Sequence, residues 1–325
     1  MKKKTIIVIF TGGTISMERN ELTNKNQIIN NQKELVENIS NEIKHVTLKT
    51  HLFSLKPSPS MTPSDMLELA KLTNSMLKDP ENDGVVITHG TDTLEETAYF
   101  LDLYLSSSKP VVFTGSMRSY SELGFDGLSN LVSSILVAAH DDSRDKGVLV
   151  CLNDEINTAS EVTKSHTLSL DTFKSLEFGP IGIVEQENVI YTRKAPDFRK
   201  IINPENVVQE VEIVQAAAGT SSYILNFLID NGTKGIVLEA LGRGNVPPMM
   251  VPGIKRAIKQ NIPVILTSRC PKGRVLDNYG YEGGGHHLRT LGVIFTDNLN
   301  AQKARIRLML ALGVTQNLNE IETFF

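Results

Sequence analysis

The sequence predicts an α/β protein of two domains, a larger N-terminal parallel-sheet domain and a smaller C-terminal α/β domain. Short apolar runs at Ile6–Phe10, Val46–Phe53, Val85–Ile87, Val111–Phe113 and Val148–Leu152 alternate with segments of helical period. The stretch Thr192–Asn206 is polar and turn-rich, with Lys194-Ala195-Pro196 and Asn203-Pro204. A second alternation follows it, with strand-like runs at Val211–Val214, Ile236–Glu239, Val264–Thr267 and Val293–Phe295 and a last helix from Ala301 to Leu312. The expected division is therefore 1–192, a linker at 193–209, and 210–325.

Strands fed by helical crossovers read as a parallel sheet with right-handed connections. Thr62-Pro63-Ser64-Asp65 opens one helix, with threonine as N-cap, proline at the first helical position and an acid at the third. Thr93-Leu94-Glu95-Glu96 has the form of a capping box opening a helix to Tyr104, and Asp126 begins a third through Ala139. No internal repeat or low-complexity tract interrupts this order.

The composition is that of an ordinary globular protein, 325 residues with 40% hydrophobic and 22% charged residues, so core is ample. A net charge of −4 gives no sign of a nucleic-acid or membrane partner. The basic start Met1-Lys2-Lys3-Lys4 is followed by too short an apolar run for a secretory signal, and no run approaches the roughly 20 apolar residues of a spanning helix. A cytoplasmic protein is the expectation. Cys151 and Cys270 have no metal-ligand spacing, and adjacent His286 and His287 suggest no metal site. Neither metal nor cofactor is expected.

The chemistry concentrates in two threonine–glycine elements, Thr11-Gly12-Gly13-Thr14-Ile15 and His89-Gly90-Thr91-Asp92-Thr93, each directly after a strand-like run. Loops at the carboxyl ends of such strands are where open α/β sheets bind ligands. The first element is not G-x-G-x-x-G, and no phosphate-binding GxxxxGK[ST] occurs, which sets a nucleotide site aside. Two hydroxyls converging on one small ligand remain. Thr14 stands on a turn that Gly12 and Gly13 permit. Asp92, just ahead of a helix, is placed to stay ionised and receive a substrate ammonium. Thr93 reads as the cap, and His89 reads either as a base or as a structural strand-end histidine.

These two elements, with Glu96 and Thr97, resemble the threonine signatures of the bacterial-type L-asparaginases. The likeness continues in order through Gly115-Ser116-Met117-Arg118, Asp126-Gly127-x-x-Asn130, Val162-Thr163-Lys164, Phe173-Lys174-Ser175, Gly179-Pro180-Ile181-Gly182, Gly242-Arg243-Gly244-Asn245-Val246-Pro247 and Leu299-Asn300-Ala301-Gln302-Lys303-Ala304-Arg305. It implies a homotetramer with active sites between paired subunits, and hydrolysis of L-asparagine to L-aspartate and ammonia.

On this resemblance Thr14 is the nucleophile that forms an acyl-enzyme, and Thr91, Asp92 and Lys164 form a proton relay. Burial pushes a lysine towards its neutral form while a nearby carboxylate pulls the other way; in its neutral form Lys164 accepts a proton through Thr91. Ser58 is implied in binding the α-carboxylate, Asp92 the α-ammonium, the Ser116 backbone the scissile amide, and Asn245 and Glu282 as contributions from a neighbouring subunit. Two departures stand out. Ser16–Asn31 holds no tyrosine where the family's lid usually carries one, leaving Glu18 or Asn24 as substitutes, and Pro59 follows Ser58 where a polar side chain is common. The alternatives are a glutaminase-asparaginase, the amidase subunit of a tRNA-dependent amidotransferase, and a silent amino-acid-binding protein that kept the pocket. The second of these normally carries an extra N-terminal domain, against a chain that starts at its first strand.

Overall fold

A computed structural model of the chain describes residues 3–20, 23, 25–29, 32–39, 42–196 and 199–325. The chain forms two compact units, Met1–Ile201 and Ile202–Phe325.

The first unit contains, in order, β1 (Lys4–Gly12), β2 (Met17–Asn20), β3 (Lys25–Ile28), α1 (Gln32–Ile39), β4 (Val46–Lys56), α2 (Pro63–Lys78), β5 (Gly84–Thr88), α3 (Leu94–Tyr104), β6 (Val111–Thr114) and α4 (Gly127–Ala139). It continues with β7 (Val148–Leu152), β8 (Glu155–Thr158), β9 (Val162–Lys164), β10 (Phe173–Ser175), β11 (Gly182–Glu185) and β12 (Asn188–Tyr191). Eight of these strands make one sheet in the order β12-β11-β8-β7-β6-β5-β1-β4. Strands β4, β1, β5, β6 and β7 run parallel. Ile6, Val8 and Phe10 share a core with Leu131 and Ile135 of α4 and Leu35 of α1. Ile7 and Ile9 point the other way and are buried too. Both faces are covered, which is why the strand reads as an unbroken apolar run rather than an alternation.

The expectation of a parallel sheet needs correcting at one edge, where β8, β11 and β12 are antiparallel. The turn between β7 and β8 places Asn153 and Asp154 both at positive φ, the conformation of a two-residue hairpin loop. Antiparallel strands joined this way need no helix between them, so the alternation of strand and helix gives no warning of them.

The second unit holds β13 (Val211–Gln215), α5 (Tyr223–Asp230), β14 (Gly235–Ala240), α6 (Val251–Lys259), β15 (Val264–Ser268), α7 (Gly285–Thr290), β16 (Ile294–Phe295), α8 (Ala301–Leu312) and α9 (Leu318–Thr323). Its four strands are all parallel in the order β13-β14-β15-β16. The second unit is a small α/β layer with its own core, including Ile236, Leu238, Ile254 and Leu266.

The connection order positions the site. From β1 the chain goes first to β4 on one side, then crosses to β5 on the other. The carboxyl ends of β1 and β5 therefore flank the topological switch point of the sheet, where such folds open a crevice for a ligand. Both threonine elements leave the sheet there.

Candidate active site

At the end of β1, Gly12 and Gly13 have φ of 105° and 84°, a region closed to most side chains. Gly13 N–H donates to Lys56 O at 3.2 Å, and Ser16 N–H donates to Gly13 O at 2.9 Å, closing the turn Thr14–Ser16. Thr11 Oγ1 donates to Thr88 O at 2.8 Å, tying the ends of β1 and β5 together. A Cβ on Gly13 would lie 2.4 Å from Gly90 Cα, so the two loops touch through backbone. Thr14 follows this contact and is half-buried.

Gly90 in turn has no room for a side chain because a Cβ there would meet Ser58 Cβ at 2.7 Å. Ser58 is buried and opens the short turn Ser58–Ser60 after β4. Thr93 does not cap α3 with its side chain as the sequence suggests; no side-chain cap bond forms. Its hydroxyl donates instead to Ser58 O at 2.8 Å. The capping bond does not form because Thr93 has φ −118° and ψ 14°, outside the extended conformation from which an N-cap side chain accepts from the first-turn amides. The box at Thr62 and Asp65, where Thr62 is extended at φ −95° and ψ 161°, forms in both directions.

Lys164 ends β9 and sends its amine to both members of the second element. Nζ donates to Thr91 Oγ1 at 2.9 Å and to Asp92 Oδ1 at 2.7 Å. The lysine side chain is 15% exposed, while Asp92 is 62% exposed and faces outward ahead of α3. Lys174, the other lysine of this region, is paired with Glu155 at 2.8 Å and with Asp171.

The loop after β6 is set by Asp126. Its carboxylate accepts from Met117 N–H at 3.0 Å and Arg118 N–H at 3.0 Å, and also from Asn130 Nδ2 at 3.0 Å. Asn130 Nδ2 donates in addition to Gly115 O. The Ser116 hydroxyl donates to Arg118 O at 2.8 Å, and the residue is buried.

His89 is fully buried with Nδ1 2.8 Å from Gly90 O, a contact that makes this nitrogen the donor. Burial holds its pKa down at about 4, against a smaller opposing effect of the Gly90 carbonyl. Of the two readings of His89, the neutral structural one fits this environment.

The hairpin β2–β3 follows Thr14 directly, pairing Met17 with Ile28. Glu18 lies on it and is exposed, while Asn24 falls outside the described residues. A tyrosine reaches this segment from elsewhere. Tyr120 N–H donates to Met17 O at 2.8 Å, and the Tyr120 hydroxyl bonds Glu34. The sequence reading missed this contact, since Tyr120 is 103 positions along the chain from Met17 and carries no local motif.

Asn245 and Glu282 lie on the second unit. Val246 N–H donates to Gly283 O at 2.8 Å, which joins the two turns that carry them. Glu282 is exposed, and the Asn245 Oδ1 is buried without a hydrogen-bond partner among the described residues. Among those residues no cluster of three or more His, Cys, Asp or Glu is arranged to hold a metal ion, and no helix is long and apolar enough to cross a membrane.

The chain is thus a two-domain α/β protein whose two threonine loops touch at the switch point of the sheet, with Lys164, Thr91 and Asp92 joined in one hydrogen-bonded cluster. Residues 5–197 match the family model described as "Asparaginase, N-terminal", and residues 210–325 match "Glutaminase/Asparaginase C-terminal domain". The chain belongs to the asparaginase family. It is 33% identical over 310 residues to an L-asparaginase of Bacillus licheniformis, covering 95% of this chain and 96% of that one. It is also 33% identical over 329 residues to L-asparaginase 2 of Escherichia coli (strain K12), covering 98% and 92% of the two. Among solved structures, the probable cytoplasmic L-asparaginase from Campylobacter jejuni superposes with a TM-score of 0.88 at 30% identity, over 99% of each chain.

Proposed function

We propose that the protein is an L-asparagine amidohydrolase that converts L-asparagine and water to L-aspartate and ammonia through a threonine acyl-enzyme. The observation that carries this is the Lys164 amine held 2.9 Å from Thr91 Oγ1, in a loop whose Gly90 is in backbone contact with the Gly13 that precedes Thr14.

Thr14 Oγ forms a bond to the side-chain amide carbon while its proton passes through the Thr91 hydroxyl to the Lys164 amine. Collapse of the tetrahedral species breaks the carbon–nitrogen bond. The departing nitrogen takes the proton back from the relay and leaves as ammonia. Water then attacks the ester, gives up a proton by the same route, and Thr14 leaves with it as a free hydroxyl. Asp92, exposed at the mouth, meets the α-ammonium and keeps Lys164 oriented. Ser58 meets the α-carboxylate, and the Ser116 backbone orients the scissile amide. Asn245 and Glu282 come from a second copy of the chain in a homotetramer built from dimers, the domains being 1–192 and 210–325 with 193–209 as the connecting segment. The setting is cytoplasmic.

The test is ammonia release from L-asparagine, D-asparagine and L-glutamine over a wide concentration range by the wild type, Thr14→Ala and Thr91→Ala. Turnover of L-asparagine by the wild type and its loss in both folded variants are expected. Full activity of folded Thr14→Ala removes it as nucleophile. Saturable binding of asparagine without turnover by the wild type replaces the enzyme with an amino-acid-binding protein.

A further inference from the structure

We infer that Glu95 is a positioning residue for this reaction, its carboxylate fixing the strand that carries Lys164 to the helix that follows Thr91 and Asp92. The inference rests on the proposed role of Lys164. Glu95 is 5% exposed in the first turn of α3, four positions beyond Thr91. Its Oε1 accepts from Thr163 Oγ1 at 3.0 Å and faces Lys164 N–H at 3.4 Å.

The need for such a tie follows from the sheet topology. Strand β9 has three residues and, among the described residues, pairs only with β10, in a two-stranded sheet separate from the eight-stranded one. No ladder bond therefore relates the backbone of Lys164 to β5, whose loop carries Thr91. A lysine side chain has several rotatable bonds and loses considerable entropy when its amine is held in one place. Holding that amine on two oxygens at 2.7 and 2.9 Å requires the backbone at its base to be fixed relative to them. Glu95 supplies that fixed relation. The chain runs from Thr91 and Asp92 into α3, Glu95 reaches across to Thr163 and Lys164, and the Lys164 amine returns to Thr91 and Asp92. A closed circuit results, with every link except the Glu95 contact made of the residues already in the relay. The cost of burying a carboxylate is met by these donors.

The experiment measures kcat and KM for L-asparagine in Thr163→Val, Glu95→Ala and Glu95→Gln, each alone and combined with Lys164→Ala, with thermal unfolding of every variant. Thr163→Val loses one bond to Oε1, and kcat is expected to fall about tenfold with KM within about twofold. Glu95→Ala falls at least as far. Glu95→Gln keeps an Oε1 acceptor and retains most of kcat. On the Lys164→Ala background none of the three lowers the residual rate further, since a positioning residue has nothing left to position.

Wild-type kcat in both Thr163→Val and Glu95→Ala overturns the inference. So does an equal loss on the Lys164→Ala background, which marks a general structural role. If Lys164→Ala alone turns over at the wild-type rate, the relay itself is wrong and the inference falls with it. If Glu95→Ala does not fold, Thr163→Val and Glu95→Gln decide.

Discussion

Gly13 and Gly90 meet backbone to backbone, with no space for a Cβ on either, so the two threonines that follow them leave the sheet from adjacent points. The contact joins residues 77 positions apart and exists because β1 and β5 are neighbours in register, Phe10 opposite Thr88. It turns two separate glycine loops into one site.

Alanine at Gly13 combines a positive φ with a Cβ 2.4 Å from Gly90 Cα, and alanine at Gly90 strikes Ser58. Each substitution is expected to lower stability by roughly 2–4 kcal/mol and to reduce kcat/KM at least 100-fold by separating the loops. Urea unfolding and ammonia release measure the two effects. Wild-type kcat/KM in Gly90→Ala contradicts the packing described.

Thr93→Val removes the hydroxyl that holds Ser58 O while keeping the shape of the side chain. With Ser58 on the α-carboxylate, KM for L-asparagine is expected to rise about fivefold with kcat within about twofold. A fall in kcat at constant KM would instead tie Thr93 to the chemical step.

His89 gives stability an acid dependence of known sign. Burial lowers its pKa from the ordinary 6.5 to about 4, so between these values the unfolded chain binds a proton that the folded chain does not. The stability contributed is complete above about pH 6.5 and lost as pH falls towards 4, reaching about 3 kcal/mol below both values. Wild type and His89→Gln, unfolded by urea at several values between pH 7 and pH 4, are the comparison. A shallower slope in the variant is expected, and equal slopes would place the acid sensitivity elsewhere.

The two cysteines differ sharply in exposure. Cys151 is buried in β7, and burial pushes its thiol up to about 12, whereas Cys270 is exposed. A thiol reagent at pH 8 is expected to label one cysteine per folded chain and two after denaturation. Prompt labelling of both in the folded protein would show that the β7 core opens readily.

The sequence by itself determined the architecture and much of the chemistry. Buried parallel strands are written as continuous apolar runs, and glycine followed by threonine at a strand end marks a loop that must turn tightly and present a hydroxyl. Those signals are local, so Thr14, Thr91 and Asp92 could be singled out as candidates, and the helix at Thr62 placed, without coordinates. Lys164 was legible only through resemblance, because a lysine at the end of a three-residue strand has no signature of its own. The tertiary structure decided what depends on distant partners. Thr93 bonds a carbonyl 35 residues away from a backbone conformation that forms no cap, and Glu95 reached a strand 68 positions on. A hydroxyl or carboxylate takes whichever donor or acceptor packing brings to it, and that choice is made by the order of strands in the sheet.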